Sequence, residues 1–216
     1  MKSQSIHQQL AEARIAIENT LATPDIEKQL AQVGYNRKKI LEGKSLYTNA
    51  LQLHQEYEEK YSKQYGATNI FYQDLQAANI LYRRHRKLAK IAHENNTQQL
   101  TALKLHLPIS KSIEKWLLHA NTFYKMLAQD SSAIQQYGVF TEELAQAQAM
   151  IDALLEARNR QISKKGEAQH ATRQRNKSMA ALHVWMKDFR LAARYALRED
   201  VQLLEVLGMP VASERL

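Results

Sequence analysis

The sequence predicts an all-α fold: a helical bundle built from a tandem duplication of a roughly 105-residue helical unit, with long antiparallel helix pairs. Three observations carry this prediction. The 216 residues include only six glycines, three prolines and no cysteine, too little punctuation for the frequent turns of a β architecture. The chain is rich in Ala, Leu, Gln, Glu, Lys and Arg, all good helix formers. Shifted by 104 residues, 30–92 also aligns with 134–196 without a gap, with ten of 63 positions identical.

Gly34 falls on Gly138, Leu51 on Leu155, Lys60 on Lys164 and Arg86 on Arg190, and the apolar positions agree more widely. Ile40 lies over Leu144, Leu75 over Met179, and Ile80-Leu81-Tyr82 over Val184-Trp185-Met186. Two repeat units, 1–108 and 109–216, follow, packed as one body about an internal pseudo-twofold axis. An opening helix covers 3–22 in the first and 111–128 in the second. Thr23-Pro24 then restarts the first copy with an N-cap and Pro at the first helical position, and Asp130-Ser131 serves the second. Gly34 and Gly138 read as left-handed residues closing a short helix. The long helical segments 36–94 and 141–198 are expected to reverse near 62–68 and 166–172, where glycines lie, giving an antiparallel pair in each unit. A continuous or kinked helix is the alternative. A last short helix after Asn95-Asn96-Thr97 ends before Pro108; Leu105–Pro108 matches Leu207–Pro210, so its counterpart ends at Gly208.

Differences between the copies point away from architecture. Tyr57, Tyr61 and Tyr65, spaced to share one helical face, continue to Phe71 and Tyr72, where the second copy has Gln161, Lys165, Gln169, Arg175 and Asn176. These aromatics either cover apolar surface or form a recognition face for a protein or stacked bases. Charge is uneven too. The net charge is +8, and it concentrates in 83–90, with Arg83, Arg86, Lys87 and Lys90, and in 158–177, with Lys164, Lys165, Arg173, Arg175 and Lys177. Both are candidate phosphate-binding stretches. Both also read as solvated surface, the second as a polar hairpin end projecting from the core.

No cysteine means no disulfide, thiolate nucleophile or thiolate-bound zinc. Di-iron bundles require two Glu-x-x-His pairs, and only Glu167-Ala-Gln-His170 fits; His54 and Glu58 form an isolated i, i+4 pair. His183 and Asp188 fall on different sides of one helix, while Trp185 and Phe189 read as core. No phosphate-cradling glycine loop or nucleophile elbow occurs. The sequence thus predicts no enzyme, cofactor or metal. No apolar run reaches bilayer length and the N-terminus has no hydrophobic leader segment, so a cytoplasmic protein without a membrane partner is expected.

The second copy resembles a group of uncharacterised bacterial all-helical proteins with the same tandem two-unit layout. The matching phrases are Gly138-Val-Phe-Thr-Glu-Glu-Leu144, Lys165-Gly-Glu-Ala-Gln-His-Ala-Thr172, Trp185-Met-Lys-Asp-Phe-Arg-Leu-Ala-Ala-Arg-Tyr-Ala196 and Gln202-Leu-Leu-Glu-Val-Leu-Gly208. The resemblance implies the fold and a bacterial host, and no activity or site. The function expected is a non-enzymatic helical scaffold or protein-interaction module with an unknown protein partner or self-association. Nucleic-acid association through the basic helix faces is the alternative.

Overall fold

The computed structural model describes residues 5–211. Among them are eight helices and no strand: α1 Ile6–Ala22, α2 Pro24–Gln32, α3 Arg37–Ala92, α4 Thr97–Ala102, α5 Ile113–Gln129, α6 Ser132–Gln135, α7 Thr141–Ala196 and α8 Gln202–Val206. The opening helix expected from residue 3 begins at Ile6, and residues 3 and 4 lie outside the described range. Ser5 caps α1 by accepting from the Gln8 amide at 3.2 Å. Pro24 stands at the start of α2 as expected, although Thr23 makes no side-chain cap bond. Asn36 and Asn96 accept from Lys39 and Gln99 at the starts of α3 and α4.

Neither long segment reverses. α3 and α7 are single 56-residue helices, which corrects the turns expected at 62–68 and 166–172. Gly66 and Gly166 sit inside these helices, and a Cβ at either would meet nothing within 4 Å. The 158–177 stretch is likewise no projecting hairpin end. It lies within α7 and buries Gln161, Ala168 and Ala171, so small and hydrogen-bonding side chains do the packing there in place of large apolar ones.

Two compact units result, each drawing on both of the expected repeats: 1–61 with 167–216, and 62–166. Within the first, α3 and α7 run antiparallel, as Gly43 against Trp185, Asn49 against Ser178 and Lys60 against Glu167 show. Its core joins Leu10 and Ile17 of α1, Ile26 and Leu30 of α2, and Trp185 and Phe189 of α7. Within the second, Thr68 meets Gln161 and Arg84 meets Glu143, again antiparallel. That core joins Tyr82 with Trp116, Phe123 and Tyr124 of α5 and Leu144 and Ile151 of α7. The expected core roles of Trp185 and Phe189 hold: the rings stack at 5.1 Å, with Tyr35 edge-on to both.

The same buried pattern recurs in both units. Leu10, Ala13, Ala16, Ile17 and Thr20 of α1 occupy the helix positions of Leu117, Ala120, Phe123, Tyr124 and Leu127 of α5. Gly34 and Gly138 have φ of +87° and +78°, the left-handed geometry the sequence predicts. The helix-end match needs correcting. Lys104, at φ +51°, corresponds to Gly208, at +71°, because Leu105 and Met209 each donate back to the residue five earlier, Leu100 and Leu204. Leu105 therefore matches Met209, two residues off the Leu105–Pro108 alignment with Leu207–Pro210.

Glycine substitutions separate these environments. Gly66→Ala and Gly166→Ala should each raise stability by about 0.5–1 kcal/mol, the helix-interior gain of alanine over glycine. Gly34→Ala and Gly138→Ala should lower it, since alanine is strained at positive φ. A Cβ at Gly43 would lie 2.3 Å from the Trp185 indole, so Gly43→Ala should cost about 1–3 kcal/mol through overpacking. Urea unfolding midpoints measure all five.

Candidate functional site

In the second unit, three adjoining concavities follow α3 and share lining residues. Arg83, Lys87 and Lys90 line one beside Leu107 and Pro108. Arg83 and Ile109 connect it to an open groove of about 560 Å³, floored by Leu75, Ile113 and Trp116 and rimmed by Lys111. Tyr72 and Ile113 carry the groove on to Gln64, Ile162 and Lys165. The Trp116 indole N–H donates to Asn79 Oδ1 at 3.1 Å and Arg83 Nε donates to the same oxygen at 3.4 Å, which fixes the groove floor and one rim cation. Lys87, Lys90 and Lys111 are exposed.

The structure divides the sequence-predicted cations. Arg86 is not a free phosphate ligand: it donates to the carbonyls of Lys104, Leu105 and Leu107 in the segment that follows α4. Arg175 is half-buried with its guanidinium 3.8 Å above the Tyr57 ring, a cation–π contact that occupies both residues. Arg173 and Lys177 are exposed in the first unit and Lys165 is exposed in the second, while Lys164 is partly buried and engaged in contacts.

The aromatic residues divide as well. Tyr57 and Tyr61 belong to the first unit, and Tyr65, Phe71 and Tyr72 to the second. Tyr61, Tyr65 and Tyr72 are half-exposed or more. Phe71 is fully buried with the Arg158 guanidinium 5.5 Å over its ring, so it is core and no part of an exposed face.

One buried polar group escaped the sequence reading. His85, with no exposed surface, holds the Tyr124 hydroxyl at Nδ1 (3.1 Å) and Glu143 at Nε2 (3.0 Å), and Arg84 donates to the same Glu143 oxygen at 2.7 Å. Burial lowers the His85 pKa against the raising effect of Glu143, and burial pushes Tyr124 well above the ordinary tyrosine value. The hydrogen bond from His85 holds Glu143 below the ordinary carboxylate range. A neutral imidazole that donates to Glu143 and accepts from Tyr124 satisfies every partner. His85 and Tyr124 are both sealed from solvent, and Glu143 is the partly exposed member of the group. His85 and Glu143 are far apart in sequence and on different helices, so no local spacing marks them. The signal was in the repeat: the matching residues are Phe189 for His85 and Ile17 for Tyr124, both buried and apolar.

No protein family, curated protein or solved structure matches the chain. No helix among the described residues is long and apolar enough to cross a membrane.

The relay makes the fold acid-sensitive. An unfolded histidine takes up its proton near the ordinary value of 6.5, whereas folded His85 resists until lower pH. The unfolded chain therefore binds more protons in that window, and stability falls as pH drops through about 6.5. Glu143, with its lowered pKa, adds stability that is lost only in stronger acid. Urea midpoints should fall from about pH 7.5 to 5.5, and the double variant His85→Leu/Tyr124→Phe should show a shallower fall.

Proposed function

We propose that the protein is a non-enzymatic helical interaction module, built from a duplicated helical unit, that docks an acidic amphipathic segment of a partner protein along α3 in the second unit. The observation that carries this reading is the groove. Leu75, Ile113 and Trp116 form an apolar floor edged by exposed Arg83 and Lys111, and exposed Lys87 and Lys90 line the concavity that adjoins it through Arg83 and Ile109. An amphipathic helix buries its apolar side chains in such a groove, and acidic residues on its flanks meet the rim. Charge complementarity of this kind contributes specificity and association rate more than affinity. Tyr72, half-exposed at the junction of two concavities, supplies an amphipathic anchor. The phrases that resemble bacterial helical proteins favour a bacterial host, and a cytoplasmic setting is compatible with the described helices, none of which is long and apolar enough to cross a membrane.

Nucleic acid is the second reading, favoured by Lys87 and Lys90, which have no acidic partner among the described residues. Two facts weigh against it. Arg86 and Arg175 are committed to internal contacts, and the groove floor is apolar, whereas phosphate binding calls for a cationic track.

Capture of the tagged chain's partner from host lysate, with and without nuclease, tests the two readings. The interaction reading expects a nuclease-resistant partner that is lost with Tyr72→Ala and with Lys87→Glu/Lys90→Glu. A partner that vanishes on nuclease treatment overturns it, as does one indifferent to both variants. Generic duplex bound by the wild type, weakening steeply between about 50 and 200 mM salt and lost in the charge variant, would establish the second reading.

A further inference from the structure

In the first unit, α1 brings a third residue to the His54–Glu58 pair of α3. His7 Nε2 lies 3.6 Å from Glu58 Oε1, and His54 Nε2 lies 3.7 Å from the same oxygen. The two imidazoles meet edge to face at 4.8 Å, and one ligand atom from each of the three residues falls within 4.8 Å of the others. We propose that His7, His54 and Glu58 bind a divalent transition-metal ion of the zinc class, with at least one position left to water.

His54 is the first reason. Its side chain is only 8% exposed, yet neither ring nitrogen has a hydrogen-bond partner. Buried polar groups are almost always satisfied, and a specific exception calls for an unseen water or ion. The separations from Glu58 are too long for hydrogen bonds. They come close to the edge of a metal tetrahedron, about 3.3 Å for bonds of about 2.0 Å. His7 and Glu58 are 74% and 52% exposed, so both can turn onto an ion while His54 stays fixed. The His54 ring is stacked on Tyr57, their planes 11° apart, and Tyr57 is in turn covered by Arg175.

Comparison with the second unit is the other reason. His7 is the second residue of α1, and Glu114 the second of α5; His54 and Arg158 hold the same position in α3 and α7. Arg158 donates to Glu114 at 2.5 Å, so the second unit fills this place with a self-neutralising ion pair. The first unit has two imidazoles there, and Glu58 where the second has Ile162. The guanidinium is gone and a donor set for a cation stands in its place. Two imidazoles and a carboxylate suit zinc, cobalt, nickel or copper over magnesium or calcium. Arg175, held over the Tyr57 ring that stacks on His54, is the opposing charge that acts on His54.

The test uses the full chain, purified without a histidine tag and stripped with chelator. Titration with Zn²⁺ should show one equivalent bound per chain and a raised melting temperature, and Co²⁺ should give the intense visible bands of a four-coordinate site. His7→Ala and Glu58→Gln change exposed side chains, so the metal-free variants should melt as wild type while each weakens Zn²⁺ binding at least tenfold. Absence of saturable binding overturns the proposal. So does Zn²⁺ bound equally well by both variants, which would place it on other histidines, or displaced by excess Mg²⁺. If His54→Gln unfolds the chain, the two surface variants still decide the matter.

Discussion

The structure depends on the pairing of α3 and α7 within each unit. A helix of 56 residues is several times the usual length and cannot bury a full apolar stripe alone. Within each unit the two helices run antiparallel and share one apolar side with a shorter helix, α1 or α5. Where large apolar residues give out, Ala168, Ala171 and the buried Gln161 keep the packing close. The Gln161 amide reaches Thr68, and Arg158 donates to its oxygen at 2.6 Å. Lys60 and Glu167 meet in the first unit at 3.3 Å. An ion pair as partly open to solvent as this one contributes little energy; helix continuity rests on backbone bonding with no proline to interrupt it.

The two units share a frame and differ in what fills it. The buried pair Phe189 and Ile17 in one becomes His85 and Tyr124 in the other, with Lys39 replaced by Glu143. Apolar residues evidently satisfy the frame at those positions. The polar relay therefore adds something the frame does not require: a partner geometry that forces a neutral histidine and penalises an unmatched one, since a buried donor left alone costs its full desolvation. The same logic applies to Glu114 and Arg158 against His7 and His54. Comparison of the two units thus separates residues that build the bundle from residues placed on it.

Charge shows how far composition carries an argument. The positive stretches were visible in the sequence, and so was the i, i+4 spacing of the tyrosines. Their use was not. Arg86 closes carbonyls of the segment that follows α4, Arg175 covers Tyr57 and Phe71 lies inside the core. Of what remains outside, Arg83 and Tyr72 border a groove whose apolar floor comes from Trp116 and Ile113 of α5, and Lys87 and Lys90 line the concavity next to it. Neither residue was a candidate, because an apolar residue on a helix looks the same whether it faces the core or lines a groove.

The sequence alone determined the helical class, the recurrence of elements, the left-handed Gly34 and Gly138 and the core roles of Trp185 and Phe189. Each follows from local backbone preference or from periodicity along one helix. Tertiary structure decided the rest. Gly66 and Gly166 suggested turns because glycine favours helix ends, yet antiparallel packing on both sides carries the helix through at a modest cost per glycine. His54 and Glu58 were an isolated pair until α1 brought His7 beside them, and His85 was one residue of a basic run until α5 and α7 enclosed it. Spacing in a sequence reports neighbours on the same helix; which residues of another helix arrive beside them is set by packing.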